Sequence, residues 1–537
     1  MLSGISVFIL CAVLRLAMLD RQSLWTDEFF SLAMATGHSL EHAADQADPL
    51  QGDYIESSGP VPSSQLARYL THDPTPAGPA RVIRAVRVSD TNPPFYYLTV
   101  WAWTRIFGTA DRVLRLLSVM FALACFPLLW KLASRFDTEA IIPACLLFTI
   151  APASIYYSTE GRMYSLVWFF DLGLMLASVE LHERGPNWKR MVLWVVAAVG
   201  GLYTHHFFTF PFGACVLWLL IYPGRLGRPI LTTLSGVTAI AISPWYVQVP
   251  QMMKSWRITK DWLTWRPDDF YWTTAPIKFA WSLLNNSDSS GLWFGGWVAN
   301  RLAFTAFAAL MISFLWNLRW RAFAGKYLLL WLSIASVVAG PIALDLLRHT
   351  YASGIPRYAL AGVPPALLLV ALAMAQLSWR TRVVAILLVA AIWQTGIRAV
   401  FSLPSRAHQP IRELAIQVAK DNPDLLILHG IPSSITGFAR YLPRDIPTLS
   451  SVGQLGVRRI PGDLASAIDG RRLVALVDVS AVGAKTDDIE WLRVNAREIG
   501  KAPNRGIRIF RFVPRAGPTF APLGFLQQRD SNLANVK

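Results

Sequence analysis

Residues 4–31 read GISVFILCAVLRLAMLDRQSLWTDEFFS, an apolar run followed by a polar segment that carries two adjacent carboxylates. The run over residues 4–20 is long enough to cross a bilayer as a helix. Asp27 and Glu28 then lie just past its end, at a membrane–water boundary. An acidic pair there either complements the start of a surface helix, with Thr26 as its cap, or belongs to a functional site.

The composition is that of a polytopic membrane protein. Of its 537 residues, 53% are hydrophobic and only 16% are charged, which is typical of polytopic membrane proteins. Apolar runs of spanning length recur, and we predict about eleven transmembrane helices. They lie near residues 4–20, 112–134, 139–157, 163–182, 188–204, 207–222, 229–248, 299–317, 327–346, 358–377 and 382–400.

The basic residues of the short loops predict the orientation. With a cytoplasmic N-terminus, the inner loops carry Lys131, Arg135, Arg184, Lys189, Arg190, Arg225, Arg228, Arg319, Arg321, Lys326, Arg380 and Arg382. The short outer loops carry only Arg162, Arg348 and Arg357. Residues 21–111, 158–162, 249–298 and everything after 400 are therefore expected outside. Residues 93–107 are interpreted as a helix in the outer interface, because a further span there would invert every later loop.

Two other features of the chain are explained by a membrane protein of this orientation. The apolar N-terminus lacks a basic n-region and a small-residue cleavage site, so we interpret it as an anchoring span. The net charge of +16 is concentrated in loops expected on the cytoplasmic side. We therefore expect membrane lipids as partners and no nucleic acid.

After residue 400 the apolar runs of spanning length end and shorter predicted elements follow. Residues 425–429, 474–478 and 508–512 are predicted strands, and residues 411–420 and 487–498 are predicted helices. The expected organisation is a membrane-embedded domain over residues 1–400, an extracytoplasmic α/β domain over 401–517 and a disordered polar tail over 518–537. The outer loop 249–298 is rich in tryptophan, which favours membrane anchoring or a lid that stacks on sugars.

Four further outer segments hold residues suited to a site. They contribute Asn92, then Glu160, Arg162 and Tyr164, then His205 and His206, and finally Arg357 and Tyr358. Each segment has a structural alternative: Asn92 can start a helix, the turn can be solvated, and the His and Arg residues can anchor in the interface. Arg357 can also grip a phosphate with two hydrogen bonds.

In their order these segments resemble the membrane-embedded GT-C glycosyltransferases. The matching stretches are Leu24-Trp-Thr-Asp-Glu28, Asn92-Pro-Pro-Phe-Tyr-Tyr97, Phe107-Gly108, Arg115, Ser158-Thr-Glu-Gly-Arg-Met-Tyr164, Thr204-His-His206 and Arg357-Tyr358 with Pro364. The chain is similar to the bacterial branch that includes protein O-mannosyltransferase-like enzymes, aminoarabinose transferases and galacturonosyltransferases. The similarity is strongest over residues 10–210.

The resemblance implies an enzyme of the bacterial inner or plasma membrane that uses a polyprenyl-phosphate-linked monosaccharide on the outer face. Transfer of the hexosyl or pentosyl group to a glycolipid, polysaccharide or protein would invert the anomeric carbon. Asp27 matches the family's first-loop aspartate, which acts as base or orients the acceptor, and Glu28 matches its acidic neighbour. Both are thus expected to be catalytic.

One departure from the family pattern concerns the donor phosphate. Where relatives carry Lys or His before the Pro-Pro pair, this chain has Asn92, which supplies no cation. Arg357, then Arg162, or a divalent metal would hold the phosphate instead, and Asp27, Glu160 and His205 are the ligands available to such a metal. No cofactor is certain from the sequence.

Two other classes of function remain open. A transporter or flippase for lipid-linked saccharides also needs many spans and a lipid groove, but it should place ionisable residues near mid-membrane in inverted repeats. An oligosaccharide ligase would share the general architecture.

Overall fold

The computed structural model describes residues 2–40, 42, 47–90, 92–255, 274–285, 296–402, 409–452, 462–479, 487–504 and 507–515. The predicted tail and most of the tryptophan-rich loop 249–298 lie outside these residues. The first part of the chain is helical. Its helices are α1 Leu2–Leu16, α2 Thr26–Ala35, α3 Ser63–Ala67, α4 Pro79–Ser89, α5 Phe95–Phe107, α6 Asp111–Phe136, α7 Ile141–Ile150, α8 Pro152–Ser158, α9 Tyr164–Arg184, α10 Trp188–Leu202, α11 Thr209–Ile221, α12 Arg228–Tyr246, α13 Val249–Ser255, α14 Thr274–Asn285, α15 Gly296–Leu318, α16 Gly325–Arg348, α17 Val363–Ala375 and α18 Trp379–Ser402.

A helix covers each of the eleven predicted spans. By length and composition, six helical segments in the described part of the chain can cross a membrane. They are Asp111–Phe136, Tyr164–Arg184, Arg228–Met252, Gly325–Arg348, Pro356–Ala375 and Trp379–Ser402. The pair α7–α8 makes a seventh if it counts as one span, although it bends by 61° between Ile150 and Pro152. The first predicted span is shorter than expected, because its helix ends at Leu16. The count of eleven therefore stays a prediction.

The C-terminal region is an α/β sheet with helices on both faces. It contains α19 Ile411–Lys420, α20 Pro432–Arg440, α21 Gly462–Ile468 and α22 Asp487–Asn495. Its strands are β2 Leu425–Gly430, β3 Pro447–Ser451, β4 Val474–Val479, β5 Ala496–Asn504 and β6 Ile507–Pro514, and β1 Val61–Pro62 comes from the first outer loop. The strand order is β1-β3-β2-β4-β6-β5, with β3, β2 and β4 parallel.

The sheet differs from the prediction in two places. The helix expected over 487–498 ends at Asn495, and the following residues form β5, which pairs antiparallel with β6. Pairing across the sheet outweighs the local helical preference there. In addition, β1 pairs with β3, so the sheet is not confined to the residues after 400.

Alternating residues of β2 and β4 separate two cores. Leu426 and Val477 join the large core shared with the transmembrane helices, whereas Ile427 and Leu476 join a smaller core beneath α21 and α22. This period of two is what a strand buried on both faces requires. The face that bears the large core carries α20, which packs on α2 so closely that a Cβ on Gly437 would lie 2.2 Å from the Phe29 ring. The C-terminal domain therefore rests directly on the helix that carries Asp27.

Candidate active site

Asp27 lies opposite a guanidinium from a distant segment. It is the second residue of α2, and its Oδ2 lies 3.4 Å from Nη2 of Arg357. The Asp27 side chain is 25% exposed and that of Arg357 is 17% exposed, so both can be reached from outside. The Arg357 guanidinium also lies over the Trp25 ring, 5.5 Å from its centre. A carboxylate and an oriented cation thus share one partly open site.

Arg162 holds the first turn of α2 in place. Its Nη1 donates to the backbone carbonyl of Asp27 at 3.2 Å and to Ser31 Oγ at 2.6 Å. Ser31 Oγ in turn donates to the same Asp27 carbonyl at 3.0 Å. Arg162 is buried, and its hydrogen bonds fix the position of the Asp27 backbone.

Glu160 contacts the Asp27–Arg357 pair indirectly, through Trp25. Trp25 Nε1 donates to Glu160 Oε1 at 2.8 Å, and the Glu160 side chain is buried. The bond fixes the indole on which Arg357 rests. Glu160 therefore positions the cation through Trp25, a residue that the sequence did not single out.

Glu28, whose catalytic role stays a prediction, is enclosed by hydrogen-bond donors. Both of its oxygens are buried in a two-bond pair with Arg115, at 2.9 and 2.8 Å. Oε1 also accepts from the Gly161 amide at 2.7 Å, and Oε2 accepts from the Trp25 amide at 3.3 Å. Glu28 thus closes the start of α2 in the manner of a capping box and ties it to the 158–162 turn. A Cβ on Gly161 would lie 2.6 Å from the Leu114 side chain, so only glycine permits this approach.

Two tyrosines and one histidine line the other side of the site. The Tyr164 hydroxyl lies within the electrostatic influence of four charged side chains, Asp27, Glu160, Arg162 and Arg357. The Tyr358 hydroxyl is likewise influenced by Arg357, Asp27 and Arg162. The Tyr358 ring is 6.0 Å from that of His205. Burial, with the nearby charges of His206, Arg162 and Arg357, lowers the pKa of His205 to about 3. His205 is therefore a neutral imidazole, whose Nδ1 accepts from the Phe207 amide.

Asn92 is occupied by a neighbouring carboxylate. Its Nδ2 donates to both oxygens of Asp90 at 3.1 Å, and the Tyr97 hydroxyl donates to Asp90 Oδ2 at 2.7 Å. The charge of Asp90 acts on both Arg162 and Tyr358, which places it at the edge of the site. Asp90 was missed from the sequence, although a carboxylate two residues before Asn92 is a local signal.

The substrate-binding role predicted for His206 and the possible metal site both stay predictions. The His206 ring packs edge-on against Tyr246 of α12, 5.3 Å away. Within the described ranges, no group of three or more His, Cys, Asp or Glu side chains is arranged to hold a metal ion. Asp27, Glu160 and His205 therefore do not form such a set in this structure.

The C-terminal domain completes the support of α2. Gln409 Oε1 accepts from the Thr26 amide at 3.0 Å and from the Thr26 hydroxyl at 2.7 Å, and Ser434 Oγ lies 3.0 Å from that hydroxyl. The Leu24 amide donates to the Tyr441 hydroxyl at 2.8 Å. No local sequence pattern marks these contacts, since they join residues about 400 positions apart.

Comparison with known proteins gives a sequence match over part of the chain and a fold match over most of it. Residues 91–247 match the family model of dolichyl-phosphate-mannose-protein mannosyltransferases. ArnT from Cupriavidus metallidurans has a similar structure, both bound to undecaprenyl phosphate and in the apo state, with a TM-score of 0.55 and 13% identity over 96% of this chain and 99% of that one. The Archaeoglobus fulgidus oligosaccharyltransferase, in complex with zinc and sulfate, has a TM-score of 0.44 and 14% identity over 88% of this chain and 67% of that one.

No curated protein matches the chain in sequence. At 13% identity, the likeness to ArnT shows the fold alone. The resemblance predicted from the sequence is nevertheless confirmed: the chain is similar to GT-C glycosyltransferases, in sequence over residues 91–247 and in fold over almost its whole length.

Proposed function

We propose that the protein transfers a monosaccharide from a polyprenyl-phosphate donor to an acceptor on the outer face of the membrane. The observation that carries the proposal is the pairing of Asp27 with Arg357, a carboxylate and a cation 3.4 Å apart in a partly open site. Glycosyl transfer from a phosphodiester needs both groups. One receives the acceptor proton, and the other stabilises the departing phosphate.

The step follows from the positions of these groups. The acceptor hydroxyl attacks the anomeric carbon, the bond from that carbon to the phosphate oxygen breaks, and polyprenyl phosphate leaves. Asp27 takes the hydroxyl proton or orients the hydroxyl, and Arg357 binds the phosphate. A single displacement of this kind inverts the anomeric carbon. The resemblance of residues 91–247 to a family named for a lipid-phosphate donor, and the fold shared with a protein that binds undecaprenyl phosphate, support this donor class.

The experiment is a comparison of cells that lack the gene with cells that carry it as wild type or as Asp27→Asn. Mass spectrometry of their envelope glycolipids, polysaccharides and glycoproteins should show one sugar-bearing species that only the wild-type gene restores. The asparagine keeps the size of the side chain but binds no proton, so its product should fall by roughly 10²–10⁴-fold. Identical profiles in all three strains would exclude the proposal.

One observation bears on the transporter alternative. Asp171 is fully buried within α9, and neither of its carboxylate oxygens has a hydrogen-bond partner among the described residues. A buried carboxylate inside a spanning helix is what a carrier would use. Asp171→Asn therefore separates the two functions. For a transferase we expect product formation to stay within about threefold of wild type, since Asp171 lies about two helical turns, or roughly 10 Å, further along α9 than the site residue Tyr164. For a carrier the variant should lose transport.

A further inference from the structure

A second polar cavity lies where the membrane helices meet the C-terminal domain. It has a volume of about 710 Å³, and its wall includes five charged side chains and one phenol: Asp20, Asp111, Arg112, Arg412, Arg440 and Tyr441. Asp20 follows the first apolar helix, and Asp111 and Arg112 begin α6. The cavity therefore sits beside the ends of two helices, at a level where the chain leaves its apolar segments.

The cavity wall carries more positive than negative side chains. Asp111 is already engaged: Arg412 Nη2 donates to its Oδ2 at 2.7 Å, Arg440 Nη2 to its Oδ1 at 3.2 Å, and the Tyr441 hydroxyl also donates to Oδ2. Three guanidiniums thus face two carboxylates, one of which is fully occupied. Arg112 is exposed, and its side chain has no recorded partner among the described residues. The wall has spare N–H donors and a net positive charge, which suits an oxyanion.

Exposed apolar side chains lie close in sequence to the cavity residues. Ile106 and Phe107, at the end of α5, are 74% and 54% exposed, and Leu16, at the end of α1, is 45% exposed. These side chains lie within a few positions of the cavity residues 110–112 and 20. A ligand with an anionic head and hydrocarbon chains matches both surfaces.

We propose that this cavity binds the phosphate group of an anionic membrane lipid. The lipid chains would lie against the exposed ends of α1 and α5, and the three guanidiniums would receive the phosphate. Basic groups at the membrane surface attract anionic headgroups, and guanidinium adds directed hydrogen bonds to that attraction. This site is separate from Asp27 and Arg357, and the proposal does not depend on the chemistry assigned to them.

Native mass spectrometry of the full-length protein, purified in detergent and freed of lipid, tests the proposal. The protein is titrated with phosphatidylglycerol, with phosphatidylcholine and with inorganic phosphate. We expect tighter binding of phosphatidylglycerol than of the other two. Arg112→Gln should weaken it about three- to tenfold, because one exposed charged contact is lost. Arg412→Gln should weaken it at least as much.

The controls keep the result decisive. Arg497→Gln removes an exposed positive charge from β5, away from the cavity, and should leave phosphatidylglycerol binding unchanged. Arg412→Gln also breaks the pair with Asp111 and can reduce stability, but Arg112 is exposed and its variant should fold normally. Wild-type binding of phosphatidylglycerol by Arg112→Gln would overturn the site. Inorganic phosphate or phosphatidylcholine bound as tightly as phosphatidylglycerol would overturn the lipid anion as its ligand.

Discussion

At the scale of single residues, the cation of the site is Arg357. Its guanidinium rests on Trp25 and faces Asp27, so its planar donors are already oriented before a phosphate arrives. Asn92 is bound to Asp90 and carries no charge, whereas the partly exposed Arg357 guanidinium lies 3.4 Å from the Asp27 carboxylate. In the proposed mechanism, a phosphate that binds Arg357 would replace the Asp27 carboxylate as its partner. The Asp27 carboxylate would then be free to bind an acceptor hydroxyl.

Substitution of Arg357 should therefore affect donor binding. Arg357→Lys keeps the charge but loses the two-bond geometry, and Arg357→Ala should lose about tenfold or more in affinity for undecaprenyl phosphate. Equilibrium binding to the purified protein measures both. Arg105→Ala, at the end of α5, is the matched control and should bind normally. If Arg357→Ala binds undecaprenyl phosphate like wild type while a chelator abolishes binding, a metal holds the phosphate instead.

His205 should make the protein sensitive to acid. Burial and the neighbouring cations hold its pKa near 3, whereas an unfolded histidine titrates near 6.5. The unfolded state therefore binds the proton first as pH falls, so stability is complete above about pH 6.5 and is lost between there and about pH 3. At pH 5 this amounts to about 2 kcal/mol. His205→Asn keeps an acceptor for the Phe207 amide, and its Tm in detergent should fall less between pH 7 and 5 than that of wild type. His206→Asn, the adjacent control, should show the same fall in Tm as wild type. If the Tm of His205→Asn also falls as much as that of wild type, His205 is not the source of the acid sensitivity.

The sequence could predict the neighbourhood of these residues but not their division of roles. The loop charges put Asp27, Glu160, Arg162 and Arg357 on one side of the membrane, which is sufficient to expect a shared site. Asp27 and Glu28 are indistinguishable in sequence, because each is an acid in the first turn of a helix. The difference comes from Arg115, 87 positions away, which engages both oxygens of Glu28 and leaves Asp27 exposed.

At the scale of elements, the break between α7 and α8 directs the chain into the site. The 61° bend leaves carbonyls at the end of α7 without helical partners. Arg15 supplies hydrogen-bond donors to these carbonyls. Its Nη2 donates to the Phe148 carbonyl at 3.0 Å and to Ser154 Oγ at 2.8 Å, and its Nη1 donates to the Thr149 carbonyl at 3.2 Å. Arg15 is fully buried. It thereby orients α8, which leads into the turn that carries Glu160 and Arg162.

Removal of this buried guanidinium should be costly. Arg15→Met leaves two carbonyls unsatisfied and should reduce stability by about 2–4 kcal/mol, seen as a lower Tm of the purified protein. Arg15→Lys can satisfy part of the set and should fall between. Arg21→Met removes an exposed arginine six positions later and should change Tm little. Equal Tm values for Arg15→Met and wild type would mean that the bend is held by other contacts.

The elements that sequence patterns predicted well are those with an unbroken apolar run. Residues 425–428 of β2 and 474–477 of β4 are all apolar, and both strands lie where the prediction put them. Only the first three residues of β5, Ala496, Arg497 and Glu498, fall in the predicted helix; they are good helix formers, and the strand exists through its pairing with β6. β1 is only two residues long and pairs with a strand almost 390 positions later, so no local signal marks it.

At the scale of the whole molecule, the charge bias still predicts a cytoplasmic N-terminus and an external C-terminal domain. Exposed tryptophans lie at the helix ends expected inside, namely Trp188, Trp316, Trp320 and Trp379. Such rings are enriched at both membrane–water interfaces, so they mark where these helices reach a membrane surface. Reporter fusions after Arg135 and after Leu403 should report opposite sides of the membrane. Both on one side would mean that the number of spans between them differs from the prediction in parity.

The central claim is that Asp27 and Arg357 carry glycosyl transfer from a lipid phosphate. The most direct measurement supplies the purified protein with an undecaprenyl-phosphate monosaccharide and with the acceptor identified in the cellular comparison, and follows both products by mass spectrometry and NMR. Wild type should release undecaprenyl phosphate and form a product of inverted anomeric configuration. Asp27→Asn should form it roughly 10²–10⁴ times more slowly, with donor binding preserved. Transfer by Asp27→Asn at the wild-type rate, or a product of retained configuration, would contradict the account.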